Sequence, residues 1–373
     1  MNNPQTQQLH YMNMSATLLW HTLKKPWDRK MAKRLVLFNH KGGVSKTTTV
    51  YNLGWILSKK HRVLLVDADP QCNLTSLILR DDFDHYYVDD KTRLNNLKDG
   101  VSAAFSGKPI PIVAVDCPDV ARAPNLHLLP GHANLSEYDA ALTFAQNANN
   151  AITTLQNLPG AFNELIALTE KKYDIEYTLI DLNPGLSAIN QNLFLNSDVF
   201  VVPTNPDPFS VMALGTLQTV LPRWANWKNN SLEIFAESAY PLRPGTPKFG
   251  GTIIQRFNVR NGRAAKPYRD NIDEIKSTVS NSLVPSLSKV GMTFPAEIYT
   301  DTFKLEGYCL EEIQDFGGLL PKAFNAGVPV FELSDREIGE AGSVLTDLAE
   351  KRDKLRAQLE GVATELISLM SNA

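Results

Sequence analysis

The sequence predicts an α/β protein built on a mostly parallel sheet flanked by helices. Apolar, β-branched runs recur at residues 34–38, 62–67 and 177–181, with two more at 199–203 and 251–255. Runs of this length without polar alternation fit strands buried on both faces. Helical segments at 47–59 and 161–171 stand between them, the alternation that produces parallel pairing through crossovers. Polar, glycine-containing motifs follow several runs, where ligands of open parallel sheets bind.

The chain has 373 residues, 43% of them hydrophobic, which is ample for one large α/β domain with additions or for two smaller ones. Net charge is −3, so affinity for nucleic acid has to come from a local patch. Cys72, Cys117 and Cys309 are far apart and form no Cys-x-x-Cys. That spacing argues against a disulfide framework or zinc site and for a reducing, cytoplasmic compartment. No apolar run reaches the roughly 18 residues of a transmembrane helix, and the polar start lacks the apolar stretch of a secretory signal.

Residues 1–30, rich in Asn and Gln, read as an N-terminal extension, either a leader or a short helix around 16–23 that packs on the body or a partner. Residues 31–333 form the main domain, which opens with a strand after Met31. Within it, 81–123 are charged, Pro-containing and weakly periodic, an elaboration between core elements. Residues 334–373 read as a C-terminal amphipathic helix that starts at a Ser334–Glu337 capping box. Apolar residues continue from Ile338 through Leu369 at helical spacing, and Gly342 and Gly361 weaken the helix by roughly 1 kcal/mol each. Such a helix packs on its own domain or serves as a coiled-coil or partner-binding element.

The segment His40-Lys41-Gly42-Gly43-Val44-Ser45-Lys46-Thr47-Thr48 lies between the first strand and the first helix. Gly42 and Gly43 let the backbone approach a ligand without a Cβ. The amides of Gly43, Val44, Ser45, Lys46, Thr47 and Thr48 can then form an anion nest at a helix N-terminus. Lys46 neutralises β- and γ-phosphates in this reading, and the Thr47 hydroxyl faces Mg²⁺. The general pattern G-x-x-x-x-G-K-[ST] is not met, because His40 and Ser45 stand at its two glycines.

This segment resembles the deviant Walker A box, K-G-G-x-x-K-[ST]-T, of the ParA/MinD class of P-loop ATPases, closest to ParA-like partition ATPases. Ser45 stands where members usually carry glycine. Asp67-Ala68-Asp69-Pro70-Gln71-Cys72-Asn73 resembles the D-x-D-P-Q-x-N motif, and Asp181-Leu182-Asn183-Pro184 the Walker B region, usually D-x-P-P. Residues 125–131, 201–207 and 327–330 carry weaker family stretches, so the likeness spans roughly 33–348. It implies an ATP·Mg²⁺-dependent homodimer in which Lys41 reaches the partner subunit's nucleotide. It further implies that Asp69 positions the attacking water, that Asp67 and Asp181 lie near Mg²⁺, and that Gln255 lies near adenine. Hydrolysis would be slow and stimulated by a partner protein.

Between Arg223 and Arg269 nine basic residues face only Glu233 and Glu237, a local balance of +7. Its densest part holds Arg256, Arg260, Arg263, Lys266 and Arg269 and reads as a loop after a strand, a footprint for non-specific DNA. ParA-like proteins bind DNA from a similar stretch; the plain alternative is a solvated basic surface or a loop beside the nucleotide. Trp224 and Trp227 read as core. The chain would then take part in plasmid or chromosome partition or in cargo positioning, associated with the nucleoid when it binds DNA. Two alternatives stand beside this: a non-catalytic nucleotide-gated interaction module, and a MinD-like membrane-associated switch. The tail from Leu359 has no Lys or Arg, which argues against membrane association.

Overall fold

The apolar runs become neighbouring strands of one seven-stranded sheet. The structure, a computed structural model, describes residues 31–148, 155–260 and 263–373. Lys33–Ala373 form one compact unit. The expectation of a helix around 16–23 lies outside the described residues.

The strands are β1 (Lys33–Leu37), β2 (Val63–Ala68), β3 (Leu126–Leu129), β4 (Tyr177–Leu182), β5 (Val199–Thr204) and β6 (Lys248–Phe257). After them come a two-residue hairpin, β7 (Val259–Arg260) with β8 (Arg263–Ala264), and the edge strand β9 (Cys309–Gln314). The order is β3-β2-β4-β1-β5-β6-β9, and every neighbouring pair is parallel. The numbered helices are α1 (Lys46–Ser58), α2 (Asn73–Leu79), α3 (Asp139–Asn147), α4 (Leu158–Tyr173) and α5 (Ala188–Leu195). They continue with α6 (Pro208–Ile234), α7 (Lys266–Thr278), α8 (Leu319–Ala326) and α9 (Gly342–Ser371).

β1 shows why its run is continuous. Leu35 and Leu37 join a core shared with α1 and α9. Phe38, directly after the strand, packs in tilted ring contacts with Phe194 at 5.2 Å and Trp224 at 5.4 Å, from α5 and α6. Both faces are therefore covered, and no position of the strand can be polar without a partner. Trp224 is core, as expected; Trp227 is half-buried, its Nε1 donating to the Gln146 carbonyl at 3.1 Å.

Arg34 is the exception that has such partners. It is fully buried, and its guanidinium donates to Glu170 at 2.7 and 2.9 Å. Beside it, Asp198 accepts from the Arg34 amide at 2.7 Å and from the Arg243 guanidinium at 2.8 Å. This buried network sits at the start of β1 and β5, the opposite end of the sheet from the glycine loop. It corrects part of the basic-patch reading. Arg243 and Lys228 are buried structural cations, and Lys228 Nζ donates to the Leu195 carbonyl. The positive balance of 223–269 is thus not all surface charge.

Three further expectations change. The segment 256–269 is not one loop: β6 runs on to Phe257, the hairpin follows, and Lys266 and Arg269 stand exposed in the first turns of α7. The Ser334–Glu337 capping box forms in full, but it caps the short helix Asp335–Ile338. Gly339 and Gly342, both at positive φ, separate that turn from α9, so Gly342 begins the long helix and does not weaken its middle. The elaboration at 81–123 holds short helices at Phe83–Tyr86, Leu97–Gly100 and Ser102–Phe105, and buries Leu97 and Val101 completely.

The apolar stripe of α9 is used internally. Leu355, Leu359, Val362, Leu366 and Leu369 are buried in the core shared with α1 and β1. Of the two roles open to this helix, packing on its own domain is the one observed.

Candidate nucleotide site

The chain leaves β1 into the glycine loop, and hydrogen bonds from neighbouring strand ends hold that loop. The Asn39 side chain donates to the Pro203 carbonyl at 2.9 Å and accepts from the Lys41 amide at 3.0 Å. Asn205, just beyond β5, donates to the Gly43 carbonyl at 3.1 Å. Gly43 has φ +72°, where a Cβ is disfavoured.

Ser45 has φ 62° and ψ 30°, a left-handed conformation that costs a non-glycine residue about 1 kcal/mol. The serine is therefore accommodated in the glycine geometry, with strain. Its side chain makes no capping bond to α1, although serine is ordinarily a good N-cap. Its carbonyl accepts from the Thr49 amide at 2.9 Å. The first amides of α1 are thereby left without a side-chain cap at the rim of a cleft, the arrangement that receives an anion.

Lys46 is buried, its Nζ donating to the carbonyls of Asn39 at 2.9 Å and Lys41 at 3.1 Å. Burial lowers its pKa, while Asp181 and Asp69 pull it back up. The cleft beside it, about 640 Å³, is lined by residues 42–48, Asp69, Gln255 and Arg256, with Phe316 and Phe324 on one wall.

The three aspartates separate into different tasks. Asp67 and Asp181 are paired in register on β2 and β4, and both are fully buried. Asp67 Oδ2 accepts from the Thr75 amide at 2.8 Å and its hydroxyl at 2.6 Å, and Oδ1 accepts from the Asp69 amide at 3.2 Å. Its pKa is pushed up to about 6 by burial, against those hydrogen bonds. Both oxygens are therefore engaged in holding α2 and Asp69.

Asp181 is the reverse case. Neither of its oxygens has a hydrogen-bond partner of good geometry among the described residues. Burial raises its pKa well above the carboxylate range, Asp67 adds to the rise, and the Thr47 hydroxyl works against it. A buried carboxyl without full partners is costly unless a ligand or water completes it. Asp69, 7% exposed, accepts from the Gln71 amide at 2.9 Å and lines the cleft.

Lys41 turns away from this cradle. Its Nζ donates to both oxygens of Asp207, at 2.5 and 2.8 Å, and to Ser210 Oγ at 3.1 Å. Asp207 is also the N-cap of α6, accepting from the Ser210 amide at 2.8 Å. Burial acts to raise its pKa, but the bonds from Lys41 and Ser210 outweigh it and leave it lowered.

Comparison with known proteins now decides the family. The AAA domain family matches residues 32–234, more than half of the chain. The chromosome partitioning protein ParA of Caulobacter vibrioides is 28% identical over 252 residues, 67% of this chain and 79% of that one. The chain belongs to the ParA/MinD class of P-loop ATPases. An uncharacterized protein of Mycobacterium tuberculosis is 32% identical over 207 residues, 54% of this chain, and the match spans only 56% of that relative's length. Among solved structures, an ATP complex of Cyanothece McdA shares the fold, with a TM-score of 0.52, 18% identity and coverage of 88% of this chain and 97% of that one.

Within this ParA/MinD-class site, Gln255 is buried and donates to Thr49 Oγ1 at 2.8 Å, so it braces α1 from the cleft wall. Arg256, expected at DNA, lies against the P-loop, its Nη1 donating to the Gly43 carbonyl at 3.0 Å. Lys266 and Arg269 are exposed; the side chains of Arg260 and Arg263 lie outside the described residues. Sequence reading missed Asn205 and the Asp207–Lys41 pair. The Asp207-Pro208-Phe209-Ser210 stretch, an N-cap followed by proline, was the available signal.

No helix among the described residues is long and apolar enough to cross a membrane. No cluster of three His, Cys, Asp or Glu among them could alone hold a metal ion.

Proposed function

We propose that this chain is an ATP-dependent dimerising switch: ATP·Mg²⁺ joins two copies, and the dimer binds DNA non-specifically. A partner protein then stimulates slow hydrolysis, and the cycle serves plasmid or chromosome partition or the positioning of cargo. The observation that carries this reading is Lys41. It belongs to the phosphate loop by sequence, yet it points out of its own cradle to Asp207. Beside it on α6, Phe209 and Met212 are each 69% exposed, an apolar patch suited to a second copy.

The chemistry follows from positions. Lys46 and the uncapped amides at the start of α1 hold the β- and γ-phosphates. Thr47 and Asp181 would hold magnesium beside the phosphates, and the ion would supply charge neutralisation there. Asp69 orients the attacking water, and Lys41 of the partner subunit adds charge as the γ-phosphate leaves. Phosphoryl transfer to water needs no covalent nucleophile, and none is placed here. Lys266 and Arg269, exposed at the start of α7, are the described side chains offered to DNA phosphates, with Arg260 and Arg263 joining them in the hairpin.

A second reading, a nucleotide-gated module that does not turn over, is favoured by the left-handed Ser45 in the loop. A MinD-like membrane switch is not favoured, since α9 spends its apolar stripe on its own core. DNA retention measured with ATP, ADP or no nucleotide, on wild type and Lys41→Ala, tests the proposal. ATP-dependent retention that Lys41→Ala abolishes supports it; retention indifferent to nucleotide overturns it. Steady-state turnover with DNA present separates the switch from the non-hydrolysing module.

A further inference from the structure

Among the described residues lining the cleft, Arg256 is the cation that the P-loop motif does not account for. It stands near the end of β6, where pairing with β9 shifts register between Gln255 and Phe257. Its φ is 63°, a left-handed conformation that a long side chain rarely adopts. A bulge in a strand re-aims one side chain, and bulges occur beside active sites for that reason. Here the flanking residues Gln255 and Phe257 are both buried while Arg256 is exposed. The guanidinium reaches the Gly43 carbonyl at 3.0 Å and lines the same cleft as Lys46 and Asp69.

The Gly43 contact by itself does not explain an arginine. Asn205 already donates to that carbonyl at 3.1 Å, so the loop has a neutral brace. Arg256 forms no ion pair with any described residue and uses one of its five N–H donors on Gly43. An unpaired guanidinium beside a phosphate-binding nest raises the local potential where a polyphosphate would sit, and its remaining donors match phosphate oxygens bidentately. The strain of its backbone is the kind retained where a side chain must point at a ligand.

We propose that Arg256 is an additional polyphosphate-binding cation of the nucleotide site, delivered in cis by the bulge near the end of β6. This rests on the nucleotide-binding reading above and assigns Arg256 to the nucleotide, away from DNA. The bulge also joins the P-loop to the β7–β8 hairpin and to the exposed start of α7. A phosphate drawn onto Arg256 would therefore act on the segment that carries the basic residues.

The test uses Arg256→Gln and Arg256→Lys in the full chain. Gln keeps a neutral donor but removes the charge; Lys keeps the charge. Affinities for fluorescent ADP and for AMPPNP with Mg²⁺ are measured by titration at low and moderate salt, beside DNA retention and a thermal melt. The expected result is a loss of about tenfold for both nucleotides in Arg256→Gln, with a flatter salt dependence, and recovery to within about threefold in Arg256→Lys. Arg256→Gln binding like wild type at both salts makes Arg256 a brace for Gly43 and overturns the proposal. Lost DNA retention with unchanged nucleotide affinity returns Arg256 to DNA and also overturns it. If Arg256→Gln melts below the working temperature, Arg256→Gly removes the charge while relieving the left-handed strain, and the same affinity loss is required of it. Wild type that binds neither nucleotide defeats the nucleotide reading itself and this role with it.

Discussion

Lys41 and Asp207 form a bidentate ion pair at 2.5 and 2.8 Å between the P-loop and the N-cap of the helix after β5. The pair holds the signature lysine in cis, so an action across a dimer requires it to exchange Asp207 for a phosphate. Asp207→Asn should weaken the hold on Lys41 while keeping the cap, because Asn caps as well as Asp. We expect dimers at several-fold lower ATP concentration than in wild type, read by sedimentation. An unchanged monomer–dimer balance would show that the pair does not restrain Lys41.

Ser45 occupies a glycine conformation at φ 62°. Ser45→Gly should raise stability by at most about 0.6 kcal/mol, the roughly 1 kcal/mol of left-handed strain less the roughly 0.4–1 kcal/mol of greater unfolded-state freedom of glycine. A urea midpoint that falls instead would mean that the hydroxyl contributes more than the strain costs. If Ser45 also slows turnover, the glycine variant should hydrolyse ATP faster at the same nucleotide affinity.

Asp181 is a buried carboxyl that its own chain leaves without full partners. Asp181→Asn removes a group whose ionised form is disfavoured by burial and by Asp67. The nucleotide-free protein should melt no lower than wild type, since a buried carboxyl whose ionisation is disfavoured is replaced by a neutral amide of the same shape. The rise in melting temperature on adding Mg²⁺ and AMPPNP should shrink, because ligand stabilisation scales with affinity. A full ligand-induced rise in the variant would remove Asp181 from the metal side of the site.

Lys228 supplies a pH test far from the cleft. Burial, helped by Arg243, lowers its pKa to about 7, with Asp198 opposing. The unfolded lysine keeps its proton to about 10.5, so between these values the unfolded chain binds more protons. Stability contributed through Lys228 therefore rises with pH from about 7 towards 10, by at most about 1.4 kcal/mol per pH unit. Denaturant curves of wild type and Lys228→Met across that range should show the slope only in wild type. Parallel slopes in the two proteins would place the titration elsewhere.

Five of the seven sheet strands were legible as apolar runs because both faces of the sheet are covered. The two missed strands lie at the sheet edges. β3 has four residues, and β9, Cys309-Leu310-Glu311-Glu312-Ile313-Gln314, carries half-buried glutamates that break any apolar pattern. Edge strands tolerate such charges because one side meets solvent, where they also discourage pairing with another chain. The C-terminal helix was legible by its spacing, but its start was not. The Ser334 capping box was real, and whether a helix continues past Gly339 depends on the backbone turn that follows.

At the site, residue types and spacing along the chain determined the phosphate loop, its lysines and the aspartates at two strand ends, because a nest of amides is made by consecutive residues. Which aspartate is free was decided only in three dimensions: Thr75 from the next helix occupies Asp67, and nothing comparable completes Asp181. The basic stretch was divided in the same way. Arg243 and Lys228 went into the core, Arg256 to the P-loop, and Lys266 and Arg269 to the surface. A sequence records how many charges a segment carries, whereas burial, register and one bulge set where each points.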